Sequence, residues 1–281
     1  MSGTSDEARD GVPLTNLDQS LFDGAGATKR DLVDYLDGVR DRILPVLEGR
    51  PLSVIRVHRG QEAFMQKNVP KYTPDWVPTV KYWAETSKRE VTYALCDERR
   101  TLLWFANQRA IEYHPTLVTA ERPDRMTHLI LDLDPPEGDS FPLAVRAAHL
   151  VRRALTDSGL AGAVKTSGSK GVHIFVPLDG SAATWDVAAA TRAVAARAER
   201  LDPELATTAF IREDRHGKVF LDATRAGGAT VVAAYSPRIR PGAPVSLDKG
   251  LVEQGHTIPV ARVQAMHEGK RRARAKRAAE G

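Results

Sequence analysis

The segment HLILDLDPP, residues 128–136, constrains this chain more than any other. Its apolar residues read as a buried strand, yet aspartate is poor strand material. An ionised carboxylate at the end of a buried strand is costly unless something compensates it. Residues i and i+2 of a strand face the same side, so Asp132 and Asp134 project together while Leu131 and Leu133 face the core. Pro135 and Pro136 cannot continue a central strand, which puts the carboxylates at its mouth. Two like charges this close resist ionising together unless a cation joins them, and a hard divalent ion such as Mg2+ or Mn2+ is the natural one. Two solvated loop aspartates are the plain alternative, and spacing alone does not separate the two. A third acid, Asp222, ends the apolar strand KVFLDATR. Three acids from two strands form the pattern of a two-metal phosphoryl-transfer site, although Asp222 taken alone reads equally as a strand-ending cap.

The second unusual stretch is KTSGSKGVHIFVPL, residues 165–178. Ser167, Gly168, Ser169, Lys170 and Gly171 make a small turn whose backbone N–H groups can converge on an anion, with Lys170 adding a charge. The order is neither the Walker motif nor G-x-G-x-x-G, and a plain hairpin turn fits such a loop as well. His173 shares a strand face with Phe175. A lone strand histidine is usually structural; beside an anion loop and three acids it becomes a candidate ligand contact.

Around these motifs strands and helices alternate with β-rich connections, which predicts an α+β (mixed α/β) fold with mixed or antiparallel sheets flanked by helices. Thr28 caps a helix in which Leu32, Leu36, Val39, Ile43 and Leu47 recur at helical spacing. RTLLWFANQRAIEYH reads as one helix ending at Pro115, residues 64–81 as irregular, and ATVVAAYSPR as a strand. The expected organisation is a disordered arm over 1–13, a catalytic domain over 14–262 and a basic tail over 263–281. With 42% hydrophobic and 27% charged residues, a sizeable core is possible. The single cysteine, Cys96, excludes an internal disulfide or a multi-cysteine zinc site and suits a reducing, cytoplasmic setting. The amino terminus is unlike a signal peptide, and no apolar run approaches bilayer length, so no membrane partner is expected.

The net charge of +4 sits unevenly: the last fourteen residues hold six Lys/Arg and two Glu, and without them 34 basic and 34 acidic residues cancel. A nucleic-acid surface on the body must therefore be a segregated patch. Residues 51–89 offer one, with seven Lys/Arg, including Lys67 and Lys71, against three acids, interleaved with Phe64, Tyr72, Trp76, Tyr82 and Trp83. Cations bind phosphates and aromatics stack on bases; buried aromatics under a solvated face are the alternative.

Taken in order, HLILDLDPPEG, KTSGSKGVHIFVPL, KVFLDATR and AAYSPRIRPGAPVS resemble the polymerase domain of bacterial DNA ligase D, of the archaeo-eukaryotic primase superfamily. LTNLDQSLF, FMQKNVPKYTPDW and LLWFANQRAIEYHP resemble its earlier blocks, so the similarity covers about residues 13–247. It implies a primase-polymerase fold and template-directed nucleotide addition, often of ribonucleotides, with two divalent ions, Mn2+ or Mg2+. By resemblance Asp132, Asp134 and Asp222 are the metal-binding acids. His114, Ser167, Lys170, His173 and Arg238 contact the nucleoside triphosphate, with Arg225 beside them. Asn16, Lys29, Phe64, Lys67 and Lys71 contact DNA, Lys29 near a downstream 5′-phosphate.

The departures are specific. Gln19 stands where a second phosphate-binding lysine is expected, Ile55 where a triphosphate-binding lysine is usual, with Arg56 beside it, Met65 in place of an aromatic, and Arg225–Ala226 where Gln-Asn is common. The expected partners are DNA with gaps or breaks, preferably bearing a downstream 5′-phosphate, nucleoside triphosphates, and separate ligase and end-binding repair proteins acting with a stand-alone polymerase. Two alternatives stand beside this reading. One is a catalytically weak module that binds DNA ends or gaps. The other is a haloacid-dehalogenase-like phosphatase, whose nucleophile motif is also D-x-D but which wants Thr or Val where Pro136 stands.

Overall fold

The computed structural model describes residues 5–58, 60–84, 88–138, 140–227, 229–247 and 258–259. The basic tail lies outside the described residues. The fold starts with a hairpin, β1 (Ser5–Arg9) and β2 (Val12–Thr15). This corrects the expected disordered arm: Val12 and Leu14 enter the core, and Arg9 pairs with Glu7, Asp34 and Asp37. The first helix, α1 (Lys29–Leu47), begins as expected at Thr28, which forms a reciprocal capping box with Asp31. Pro45 lies in its last turn.

One five-stranded sheet contains β3 (Leu52–Arg56), β4 (Phe64–Gln66), β5 (Thr79–Ala84), β6 (Arg89–Ala94) and β7 (Ala110–Pro115). Its order is β4-β3-β6-β5, with β7 also paired to β3. Two expectations change here. The irregular segment 64–81 begins and ends in strands, β4 and β5. The helix expected through residue 115 stops early: α2 is Arg99–Asn107, Arg109 takes a left-handed conformation (φ +59°), and the chain leaves as β7. The run AIEYHP contains a β-branched and an aromatic residue and is buried on both faces, so burial against β3 overrides the helical reading.

The second sheet has the order β11-β12-β8-β10-β9. Its strands are β8 (His128–Asp134), β9 (Ala163–Thr166), β10 (Val172–Pro177), β11 (Ala206–Thr207) and β12 (Val219–Asp222). The central β8 is antiparallel to both β10 and β12. Leu131, Leu133, Val172 and Ile174 face α3 (Phe141–Thr156) and α4 (Thr184–Leu201) in one core. A separate core holds α1, α2 and the first sheet. The expected strand ATVVAAYSPR is an extended segment instead. Val231 and Ala233 donate to β7 at Pro115 and Tyr113, but Tyr235 turns left-handed (φ +68°) and ends the pairing. That segment leads to β13 (Pro244–Val245), paired with β14 (Ile258–Pro259).

The turn between β9 and β10 is fixed by close approach. A Cβ on Gly171 would stand 2.1 Å from the Leu133 carbonyl oxygen, so β8 and this turn fit together only with glycine there. A Cβ on Gly168 would meet Arg238 Cγ at 2.7 Å and the Ser246 nitrogen at 2.9 Å, and its φ is +70°. Gly171→Ala is expected to destabilise the protein by about 3 kcal/mol through backbone displacement. Thermal melting checks this, and an unchanged midpoint would show that β8 and the turn are not so tightly joined.

Candidate active site

Strand register sets the site. Asp132 lies directly between Asp222 on β12 and His173 on β10, and His173 lies opposite Lys165 on β9. The row Asp222–Asp132–His173–Lys165 therefore crosses four strands on the face turned away from α3 and α4. Asp134 projects from the same face two residues further along, opposite Phe220. The register places the three acids on one sheet face, from two strands.

Charges in the row compensate one another. His173 Nε2 lies 3.2 Å from Asp132 Oδ1, Arg225 Nη2 donates to Asp132 Oδ2 at 3.3 Å, and Arg225 Nε lies 3.3 Å from Asp222 Oδ2. Asp222 Oδ1 accepts from the backbone N–H and hydroxyl of Thr224 at 2.8 and 2.6 Å. Burial alone would raise the Asp132 pKa, but His173, Arg225 and Lys165 pull it down to about 2. Asp134 goes the other way: burial and the neighbouring Asp132 charge raise it, and among the described residues it has no hydrogen bond or ion pair. His173 is lowered to about 4, chiefly by burial and by Lys165. It is therefore neutral at pH 7 with its Nε2 proton toward Asp132, while its buried Nδ1 has no hydrogen-bond partner among the described residues. Lys165 is lowered to about 7 by burial, against the pull of Asp132. Its Nζ donates to Ser246 Oγ at 2.8 Å.

The donor chemistry fits a hard divalent ion, since the set is carboxylate and the unpaired Asp134 is the group that a cation would relieve. Among the described residues no three His, Cys, Asp or Glu groups stand close enough to hold an ion as they are. The Arg225 guanidinium lies against two of the three acids, Asp132 and Asp222.

The loop 167–171 closes at the end of this row. Ser167 Oγ accepts from the backbone N–H groups of Ser169 and Gly171 at 3.2 and 3.1 Å. Lys170 Nζ reaches exposed Glu137 at 3.0 Å, and Arg212 shares that carboxylate at 2.9 Å. Such exposed pairs are screened by water, so Lys170 is cheaply released. Arg238 Nη1 donates to the Ser167 carbonyl at 2.7 Å while its Nε lies 3.1 Å from Glu112 Oε2. The same Glu112 oxygen accepts from His114 Nε2 at 2.9 Å. His114 and Arg238, which sequence placed at the nucleotide, thus meet the loop through a carboxylate from the other sheet.

The sequence reading missed Glu112, Lys165 and Ser246. Glu112 and His114 share a face only if 110–115 is a strand, and that segment reads as helix. The Lys165–His173 pairing was available, since a turn centred on Ser169 pairs residues four positions to either side.

The surface expected to meet DNA divides. Phe64, Met65, Tyr72 and Trp83 are exposed, Phe64 stacks on His58 at 5.1 Å between centroids, and Lys67, Lys71 and Asn16 are exposed too. Lys29 is different and corrects the expectation of an accessible phosphate contact. It is 3% exposed, and its Nζ donates to the Thr15 carbonyl at 2.6 Å because the start of α1 tucks beneath the turn after β2. Arg56 is also inward, donating to the Gln108 carbonyl, Gln66 Oε1 and the Tyr72 hydroxyl.

The geometry defines a class: an α+β protein in which carboxylates, a glycine turn and a clasped arginine converge between two sheets. The LigD primase-polymerase domain family matches residues 28–253. The bifunctional non-homologous end joining protein LigD of Bacillus subtilis is 36% identical over 231 residues, 81% of this chain and 37% of that protein. The multifunctional non-homologous end joining DNA repair protein LigD of Mycobacterium tuberculosis is 36% identical over 251 residues, 85% of this chain and 32% of that one. The structure of the polymerase domain of M. tuberculosis ligase D in complex with DNA superposes with a TM-score of 0.82 at 30% identity, covering 90% of this chain and 93% of that one. The chain belongs to the LigD primase-polymerase domain family. It spans about a third of the length of those curated relatives, and the family assignment sets aside the phosphatase alternative.

The two opposed carboxylate shifts give a test on stability. A depressed folded-state pKa stabilises the protein above the unfolded value, about 3.9 for aspartate, and that contribution is lost as pH falls. For Asp132 the loss runs from there to about 2. A raised pKa does the reverse, so ionised Asp134 costs stability at pH 7. In metal-free buffer at pH 7, Asp132→Asn should lower the melting temperature and Asp134→Asn should raise it. Shifts of the same sign in both would refute this charge arrangement.

Proposed function

We propose that the protein is a DNA-dependent nucleotidyltransferase that adds nucleotides, ribonucleotides in preference, to primer 3′ ends at short gaps or breaks. One observation carries this reading: Asp132, Asp134 and Asp222 project from one sheet face beside the 167–171 turn, in a member of the LigD primase-polymerase domain family. Asp132, Asp134 and Asp222 would hold two divalent ions, Mn2+ or Mg2+, which when bound lower the pKa of a primer hydroxyl and neutralise the leaving pyrophosphate. The chain's own share is positioning and charge. Arg225 lies between Asp132 and Asp222, and would have to give up those contacts for the acids to hold an ion. Ser167, Lys170 and Arg238 bind the triphosphate, with His173 beneath it. His114 and Ser167 offer hydrogen-bonding groups to a ribose hydroxyl.

On the DNA side, the exposed Phe64, Met65, Tyr72 and Trp83 with Lys67 and Lys71 form the stacking and phosphate surface, and Asn16 lies at its other edge. With Lys29 buried and Gln19 neutral, this surface offers a downstream 5′-phosphate little charge, so binding of DNA ends rests on the aromatic patch. Ligation and end recognition would fall to other domains or proteins. The second reading, a catalytically weak DNA-end module, is favoured by one observation, the Arg225 bridge across two acids.

Primer extension on a gapped duplex, with each nucleotide pool and with Mg2+ or Mn2+, separates the two. Extension that favours ribonucleotides and disappears in Asp132→Ala, with DNA binding retained, is expected. DNA binding without extension under any condition would select the weak module. A second measurement addresses the turn: Lys170→Ala should raise the apparent KM for nucleotide roughly 10- to 100-fold, since one charge-assisted contact is worth about 1.5–3 kcal/mol. An unchanged KM would make the turn a plain hairpin.

A further inference from the structure

Glu112 belongs to none of the groups discussed as metal or nucleotide contacts, yet it is a buried carboxylate met by three groups. It is 3% exposed, in the middle of β7. Its Oε1 accepts from the Ile239 backbone N–H at 2.8 Å, and its Oε2 accepts from His114 Nε2 at 2.9 Å with Arg238 Nε 3.1 Å away. A buried carboxylate on an interior strand is expensive to retain. Here burial alone would raise its pKa, but His114, Arg238 and the Ile239 N–H hold it below the usual carboxylate range. Across β3, the residue opposite Glu112 is Ile55, which brings no charge to compete for those oxygens.

We propose that Glu112 is a positioning residue for nucleotide binding: it fixes His114 and Arg238 in one arrangement and so sets the first sheet against the 167–171 turn of the second. This rests on the polymerase reading of the same site and deepens it. The path is continuous. His114 is two residues from Glu112 on one strand face. Arg238 spans from Glu112 to the Ser167 carbonyl, and its aliphatic stem fills the space where a Gly168 side chain would be. Ile239 anchors the backbone beyond Arg238 to the same carboxylate. A carboxylate, which only accepts, meets the Ile239 N–H and His114 Nε2 on separate oxygens and still faces the Arg238 guanidinium as an ion pair. It also requires the Nε2 proton on His114, leaving Nδ1 as that ring's other face.

Glu112→Gln tests this, because it keeps the shape and removes the accepting capacity. Whichever way the amide turns, its NH2 faces either the Ile239 N–H or the His114 and Arg238 donors. Nucleoside triphosphate affinity, measured by titration with ATP and Mn2+ on the whole chain, should fall at least about tenfold. Affinity for gapped duplex should stay within about twofold. In the His114→Ala/Arg238→Ala background, Glu112→Gln should add less than about twofold, because its effect runs through those two residues. Wild-type nucleotide affinity in a folded Glu112→Gln protein, or effects that multiply in full across the triple variant, would overturn the proposal. If Glu112→Gln does not fold, Glu112→Asp decides. It keeps the charge but draws the carboxylate back by one methylene, and nucleotide affinity should fall severalfold; wild-type affinity there would overturn it. A wild-type protein that binds no nucleoside triphosphate would instead overturn the polymerase reading.

Discussion

The buried charge of Asp132 is the constraint around which the second sheet is organised. A carboxylate in the middle of an antiparallel sheet has neighbours fixed by register, and here they are His173 on one side and Asp222 on the other. One neighbour donates and the other repels, so the row requires further cations. Lys165 supplies one from the edge strand and Arg225 another from the turn after β12. The residues that make the site chemically unusual are thus the same ones that make the sheet electrostatically possible. Asp134, without a hydrogen bond or ion pair among the described residues, is the part of this arrangement whose charge is least compensated. Strain and unmet charge of this kind concentrate at functional sites.

Gly171 shows how the same sheet fixes the 167–171 turn. The Leu133 carbonyl comes so close that no side chain fits between them. Leu133 lies between the two aspartates in sequence, so the backbone that carries the acids also positions the turn. The acids and the turn are therefore held relative to one another by backbone, the β8–β10 ladder and this close approach, with no long side chain intervening. A cavity of about 360 Å3, lined by His149, Leu155, Val172 and Ile174, opens on the reverse face of this sheet.

Much of this was legible in the sequence where local pattern and tertiary demand agree. The i, i+2 acids on an apolar strand, the capped helix from Lys29, and the Gly/Ser/Lys turn each follow from local rules that the fold does not override. The failures are equally specific. AIEYHP follows a helix without any glycine or proline between, so helical spacing runs on through it. The left-handed Arg109 that ends the helix belongs to a residue type that carries no such signal. Reading the segment as helix hid the shared face of Glu112 and His114. Lys29 failed for another reason: sequence gives its charge but not its burial beneath the β2 turn. A family resemblance carries over residue types, and whether a lysine points outward is settled by packing.

The two sheets raise a further point about how such a site is assembled. Each sheet has its own core, yet the residues proposed to meet the nucleotide are divided between them, His114 on one and the 167–171 turn on the other. Contacts between separately packed bodies are where relative motion is cheapest, so the site needs a link that is stiff and directional. The segment 229–247 provides it. It hydrogen-bonds to β7 at Tyr113 and Pro115, then returns along β9, where Leu247 accepts from Thr166 N–H and Ser246 meets Lys165. Arg238 sits midway along that segment and turns a backbone tether into a side-chain one. Backbone hydrogen bonds alone leave rotation about the extended chain, whereas a guanidinium held at both ends does not. The precision of a site shared between two cores then depends on one buried carboxylate in the first sheet, and substitutions there should disturb nucleotide handling before they disturb either core.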